Sequence, residues 1–253
     1  MSDTRLTVVV TGGGNGIGAS VCDLMLSAGH NVHSLDLNPH PDANVTNHGC
    51  DVTDSGQLQK IAERIGPVDA LILCAGINLR PRDNSTHRMD IDAWNRTLEV
   101  NLTGAMLTLR AFDPTLRANG AIVTMASIAA CRAMPGQDAY TASKGAIVAL
   151  TRAWAIDYSA RAIRVNCVCP GPTDTAMMES IFDSFGGRGG IGLPQQRMGK
   201  VDEVAALIGF LVSDAASYVS GAIIPVDGGA SAHGAGMPWP KLRIETPSVQ
   251  EGR

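Results

Sequence analysis

Tyr140 and Lys144 lie four residues apart in the run Tyr140-Thr141-Ala142-Ser143-Lys144, with Ser127 shortly before them. On a helix, that spacing puts the phenol and the ammonium on one face. A lysine cation beside a phenol favours the phenolate. The tyrosine pKa is therefore expected to fall from about 10 toward working pH. A phenol tuned in this way can exchange a proton with an alcohol or ketone oxygen, and the Ser127 hydroxyl can hold that oxygen meanwhile. The chain has only 3 tyrosines, so the pairing is not a by-product of a tyrosine-rich surface.

A second group of residues points to a redox partner for this proton chemistry. Thr11-Gly12-Gly13-Gly14-Asn15-Gly16-Ile17-Gly18 follows an apolar β-branched run and precedes a helical pattern. Glycines at Gly12, Gly16 and Gly18 let the turn fold tightly, and the following helix aims its first amides at a pyrophosphate. Asp36 ends the next strand, about 20 residues on. A carboxylate there accepts hydrogen bonds from both adenosine ribose hydroxyls and repels a 2′-phosphate. Neither Asn15 nor Leu37 supplies a cation to reverse this preference, so NAD is expected over NADP. Asp51-Val52 is placed beside the adenine, and Ala75-Gly76 is expected to let the backbone approach the cofactor.

These residues need a scaffold. Strands are expected over Leu6–Val10, Asn31–Asp36, Val45–Asp51, Asp69–Ala75, Ala121–Ala126, Ile163–Cys169 and Ala222–Val226. Helices are expected over Ala19–Ala28, from the cap Asp54 through Arg64, from Asp90 to about Ala111, over Asp138–Tyr158 and over Val201–Ser213. Pro114 should end or bend the third of these. Pro225 in the last strand argues for a sheet edge. The alternation of strand and helix implies a parallel, doubly wound α/β sheet in one domain spanning residues 1–253. Gly12–Gly18, Asp36, Gly76, Ser127 and Pro170–Thr175 then all fall at the carboxyl ends of strands, where ligands bind in such sheets.

Composition narrows the partners. A net charge of −4 gives no reason to expect nucleic acid or a membrane surface. No apolar run approaches the roughly 20 residues that span a bilayer, and the N-terminus shows no secretory pattern. Six scattered cysteines form no CxxC pair and read as buried free thiols in a reducing cytoplasm. The six histidines lack metal-ligand spacing, so no metal is expected.

The ordered set resembles the short-chain dehydrogenase/reductase family, in its branch of about 250 residues. It comprises Thr11-Gly12-x-x-x-Gly16-x-Gly18, Asp51-Val52, Cys74-Ala75-Gly76, Asn101, Ser127, Tyr140-x-x-x-Lys144, Pro170-Gly171-x-x-x-Thr175 and Val226-Asp227-Gly228-Gly229. The resemblance runs from Leu6 to about Gly229 and implies a Rossmann-type domain with a parallel sheet of about seven strands. It implies that Asn101 kinks its helix and holds a water linking Lys144 to solvent, and that Lys144 also binds the nicotinamide ribose. It further implies that Thr175 binds the carboxamide, within a Pro170, Gly171 and Thr173 turn against the nicotinamide. Leu73-Cys74 departs from the Asn-Asn usual before Ala-Gly, at the cost of a strand-stabilising polar contact. Members are commonly dimers or tetramers built on the Asp90–Ala111 and Asp138–Tyr158 helices, so a homo-oligomer is implied.

The substrate pocket is expected between Ile77–Arg82, Ile128–Met134 and a glycine-rich lid over residues 184–199. Met134, Met177 and Met178 offer adaptable apolar walls. Arg80 and Arg82 are candidate anchors for an anionic substrate, or simply exposed arginines. A polar tail follows from residue 230 and is open between disorder and packing through Trp239. The leading expectation is an NAD-dependent dehydrogenase of a secondary alcohol such as a polyol, sugar or hydroxy acid. A 3-oxoacyl thioester reductase is the alternative within enzymes. A dinucleotide-sensing scaffold protein is the alternative outside them.

Overall fold

The computed structural model describes residues 5–132, 134–178 and 193–232. Seven parallel strands form one sheet: β1 (Thr7–Thr11), β2 (Asn31–Asp36), β3 (Thr46–Gly49), β4 (Val68–Leu73), β5 (Leu116–Met125), β6 (Arg164–Pro170) and β7 (Ile223–Val226), in the order β3-β2-β1-β4-β5-β6-β7. The order reverses between β1 and β4. A crevice therefore opens there at the carboxyl ends of the strands.

The strands alternate side chains between two covered faces. Val8 and Val10 point to one layer with Val21, Met25, Ile72, Val123, Ile208 and Leu211. That layer lies beneath α1 (Gly16–Ser27) and α6 (Val201–Val212), which pack on each other. Val9 points to the other layer with Leu35, Leu58, Leu71, Phe112, Ile122, Trp154 and Val165. This second layer is covered by α2 (Ser55–Ile65), α4 (Gly104–Phe112) and α5 (Asp138–Asp157). Phe112 is fully buried, and truncating such a ring to alanine costs about 3–5 kcal/mol.

Local sequence explains the element ends. Asp54 caps α2 by accepting from the amides of Gly56 and Gln57, and Asp90 caps α3 (Ile91–Leu98) through Asp92 and Ala93. Pro114 opens a short 3-10 turn that ends α4. Among the described residues, the edge strand β7 pairs only with β6 and tolerates Pro225 there.

Two expectations change. The helix expected from Asp90 to Ala111 is interrupted: α3 and α4 are joined by a π-helical turn over Glu99–Thr103. β5 begins at Leu116 rather than Ala121. The register shift between Val68 and Ala70 lets Leu116 pair early, although Asn119 sits at a φ of 63° and the local sequence reads as a turn.

Candidate active site

The glycine turn is built by close approach. Gly12 has a φ of 69°, and a Cβ there would meet the Ala75 backbone at 2.8 Å. A Cβ on Gly18 would lie 2.0 Å from the Gly12 carbonyl oxygen. Only glycine lets the first turn of α1 fold against β1 and leave its N-terminal amides facing the crevice. The strand end beside it is tied by the Ala75 amide, which donates to Thr11 Oγ1 at 3.2 Å. This bond anchors the segment where Leu73-Cys74 lacks the family's polar pair.

Gly12, Asn15, Gly16, Ile17, Gly18, Asp36, Leu37, Asp51, Val52, Ala75, Gly76, Ser127, Tyr140, Lys144, Pro170, Gly171, Thr173 and Thr175 all line one cavity of about 770 Å³. The sequence placed these residues at one ligand site, and the fold brings them together. Asn101 is set behind the wall, 2% exposed. Asp36 anchors the far end. Its two oxygens accept from the Gly14 and Asn38 amides at 3.0 and 2.9 Å. A carboxylate has about four acceptor sites, so it keeps capacity for a pair of hydroxyls.

One cation absent from the sequence reading lines this end, Arg96. It is engaged with Asp51 at 3.1 Å and Glu99 at 2.8 Å. The Asp51 carboxyl is held below its ordinary pKa, first by the Thr53 amide and then by the Thr53 hydroxyl and Arg96.

At the other end, β5 delivers Ser127 and the first turns of α5 deliver Tyr140 and Lys144. Lys144 is 3% exposed, and its Nζ donates to the Met125 carbonyl at 3.0 Å. The Nζ lies 5.6 Å from the centre of the Tyr140 ring. Asn101 sits in the π-helical turn. Its Oδ1 accepts from the Ile77 amide at 2.7 Å, and its Nδ2 donates to the Ile77 carbonyl at 2.9 Å and to Ser143 Oγ at 3.1 Å. The implied kink is thus a π turn, and the Asn101 side chain ties that turn to the Ile77 backbone and to α5.

The expected fall in the Tyr140 pKa is corrected. Burial raises the phenol above its ordinary value, and a hydrogen bond with Ser127 opposes this only in part. Lys144 is desolvated too, which pulls its pKa down to about 8, against the opposing pull of Cys167, Cys74 and Cys169. The sequence argument counted the charge of the lysine but not the loss of water around both groups.

Several positions went unseen in the sequence. Asp83, 1% exposed, accepts from the Ala139 and Tyr140 amides at 3.0 and 2.8 Å and so fixes the start of α5. Its partner amides are distant in sequence, and no local pattern marks them. Arg80 and Arg82 do not line the cavity. Arg80 donates to the carbonyls of Pro135 and Gly136, and Arg82 pairs with Asp90 at 2.8 Å. Arg132 lines the cavity instead and donates to the Ser231 carbonyl. Met134, Met177 and Met178 line it as expected.

Of the expected lid, residues 184–192 lie outside the described residues. Leu193 lines the cavity, and Gly199 bridges to Thr173. The tail from 233 onward also lies outside them, Trp239 included. Just before it, Ala230 lies on the cavity wall and the Ser231 amide donates to Asp227 at 2.7 Å. Cys22, Cys50, Cys167 and Cys169 are buried free thiols, whereas Cys131 is exposed and Cys74 half-buried. No helix among the described residues is long and apolar enough to cross a membrane.

Residues 12–231 match the family model described as Enoyl-(Acyl carrier protein) reductase. The chain is 33% identical over 244 residues to 2-(R)-hydroxypropyl-CoM dehydrogenase of Xanthobacter autotrophicus, covering 88% of this chain and 98% of that one. It is 32% identical over 238 residues to the 3-oxoacyl-(acyl-carrier-protein) reductase FabG of Thermotoga maritima, covering 87% and 96%. Among solved structures, the ligand-free aldohexose dehydrogenase of Thermoplasma acidophilum superposes with a TM-score of 0.86 at 29% identity, covering 94% of this chain and 98% of that one. With the glycine turn, Ser127, Tyr140 and Lys144 gathered on one cavity, these similarities place the chain in the short-chain dehydrogenase/reductase family of nicotinamide dinucleotide-dependent oxidoreductases.

Proposed function

We propose that the chain is an NAD-preferring dehydrogenase that interconverts a secondary alcohol and a ketone. The observation that carries this reading is the convergence of Ser127, Tyr140 and buried Lys144 on the cavity whose opposite end holds Asp36. The residues fit a dinucleotide: the backbone amides at Gly12–Gly18 would hold its pyrophosphate and the Asp36 carboxylate would accept from a ribose. When bound, the dinucleotide supplies or accepts the hydride. Tyr140 takes the carbinol proton in oxidation and returns it in reduction. Ser127 holds the reacting oxygen against it. Lys144 commits one N–H to Met125 and has two others to offer to ribose hydroxyls. Its ammonium also lowers the cost of forming the phenolate. Asn101 positions this group through Ile77 and Ser143. Thr175, with Pro170, Gly171 and Thr173, walls the nicotinamide end.

NAD preference rests on Asp36 together with the pairing of Arg96 to Asp51 and Glu99. A 2′-phosphate would meet a carboxylate and no uncommitted cation among the described residues. Measuring NAD and NADP reduction at alkaline pH against alcohols, polyols, sugars and hydroxy acids tests the proposal. It expects turnover of secondary alcohols with higher kcat/KM for NAD. Equal or better efficiency with NADP would sink the coenzyme assignment.

A 3-oxoacyl thioester reductase is the second reading, favoured by the similarity to FabG. NADPH-driven reduction of a 3-oxoacyl thioester that outpaces every alcohol would establish it. A cytoplasmic homo-oligomer, dimer or tetramer, belongs to the same proposal. Ile91 on α3, Met106 on α4 and Ile156 on α5 expose apolar side chains suited to a partner. A monomer by light scattering at micromolar concentration would contradict the assembly.

A further inference from the structure

Gln137 is 3% exposed, lines the cavity and stands one helical turn before Tyr140. Its Oε1 accepts from Asn78 Nδ2 at 2.8 Å, and Asn78 lines the same cavity. Asn78 comes from the loop after β4, so the pair joins two separate segments of the wall. Among the described residues, the Gln137 amide nitrogen has no hydrogen-bond acceptor, and the buried Asn78 Oδ1 has no partner. Apolar side chains of Ile77, Ile128, Met134, Met177 and Leu193 line the same cavity, together with Arg132. The buried Asn78 carbonyl is poorly matched to its surroundings unless something bonds to it.

The two amides are coupled through one bond. In the arrangement found, Gln137 carries an unused N–H pair. Turning both amides over preserves the bond and leaves Gln137 with an unused carbonyl instead. A hydroxyl satisfies either arrangement, because it both donates and accepts. A purely apolar substituent satisfies neither.

We infer that the Asn78–Gln137 pair is a specificity-determining site for a second hydroxyl near the reacting carbinol carbon, so that the preferred substrate is a diol or its hydroxyketone. The inference rests on the proposed alcohol dehydrogenase reading. Tyr140 and Ser127 take the reacting oxygen, and Gln137, one turn away on the same wall, takes the neighbouring one. A site built to bond a hydroxyl discriminates strongly against an analogue lacking it, since its own buried polar group is then left unpaired.

The test compares 2,3-butanediol with 2-butanol as substrates of the full chain and of the Gln137→Met and Asn78→Leu variants. The readout is the ratio of kcat/KM for the two alcohols within each protein, which cancels any loss of folded enzyme. The wild type is expected to favour the diol, and each substitution to lower that ratio about tenfold. Wild-type selectivity retained in both variants, or no diol preference in the wild type, overturns the inference. Complete lack of alcohol oxidation with either coenzyme would defeat the dehydrogenase reading itself. In that case NADH fluorescence titrations with acetoin and 2-butanone supply the same comparison. Preferential acetoin binding that Gln137→Met removes supports the site, and equal responses, including none to either, overturn it.

Discussion

At the proposed adenosine end of the cavity, Gly12–Gly18 and Asp36 lie close in sequence and would act through backbone amides and one carboxylate. At the substrate end, Ser127, Tyr140 and Lys144 depend on side chains brought from afar: Asp83 under α5, Asn101 across to Ile77, Asn78 against Gln137. The first end is fixed by what glycine permits sterically. The second is fixed by long-range hydrogen bonds among desolvated groups. Substitutions that disturb positioning rather than the reacting groups should therefore fail abruptly at the glycine-turn end and by degrees at the substrate end.

Among the positioning substitutions, the largest effect tests the steric half. Gly18→Ala forces a Cβ onto the Gly12 carbonyl, so NADH affinity by fluorescence titration should fall about a hundredfold or more. Binding within a factor of two of the parent would break the contrast between the ends. Next comes Asp36→Ala. Losing a charged acceptor should lower kcat/KM with NAD roughly tenfold or more and raise it with NADP. An unchanged NAD-to-NADP ratio would remove Asp36 from coenzyme selection.

A smaller effect is expected from Asp83→Ala. It strips the acceptor from the Ala139 and Tyr140 amides, a capping loss of about 1 kcal/mol, visible in denaturant unfolding. Because those amides orient Tyr140, kcat should fall severalfold with NADH affinity retained. A stability loss without any change in kcat would make Asp83 a cap and nothing more.

The smallest effect concerns pH. Lys144 titrates in the folded chain near 8, below its unfolded value of about 10.4. Between these values the unfolded state binds more protons, so folding stability rises with pH across that window and is flat below it. Lys144→Met removes this dependence. The stability difference between variant and parent, followed by urea unfolding from pH 7 to 10.5, should shift steadily in favour of the parent as pH rises above about 8. A pH-independent difference would mean that the lysine is not desolvated.

The same contrast explains what the sequence disclosed. The glycine turn, Asp36 and Tyr140-x-x-x-Lys144 are short-range patterns whose spacing alone carries geometry. The seven strands followed from hydrophobic runs punctuated by glycine and proline, although the early start of β5 was hidden by a turn-like Arg117–Gly120. Asn78 and Arg132 fall within the expected wall segments Ile77–Arg82 and Ile128–Met134, but their partners, and the roles of Asp83 and Gln137, depend on the path of the loops after β4 and β5, which no local pattern specifies. The direction of the Tyr140 pKa was missed because burial, set by tertiary packing and invisible in sequence spacing, raises it, with the Ser127 hydrogen bond opposing only in part.

The central claim is that Tyr140 moves the proton while the rest of the site binds. Tyr140→Phe removes one hydroxyl and little volume, so the most direct measurement pairs its turnover of a secondary alcohol with its NADH affinity. The account predicts affinity close to the parent and turnover reduced about 10²–10⁴-fold. Turnover equal to that of the parent would contradict it.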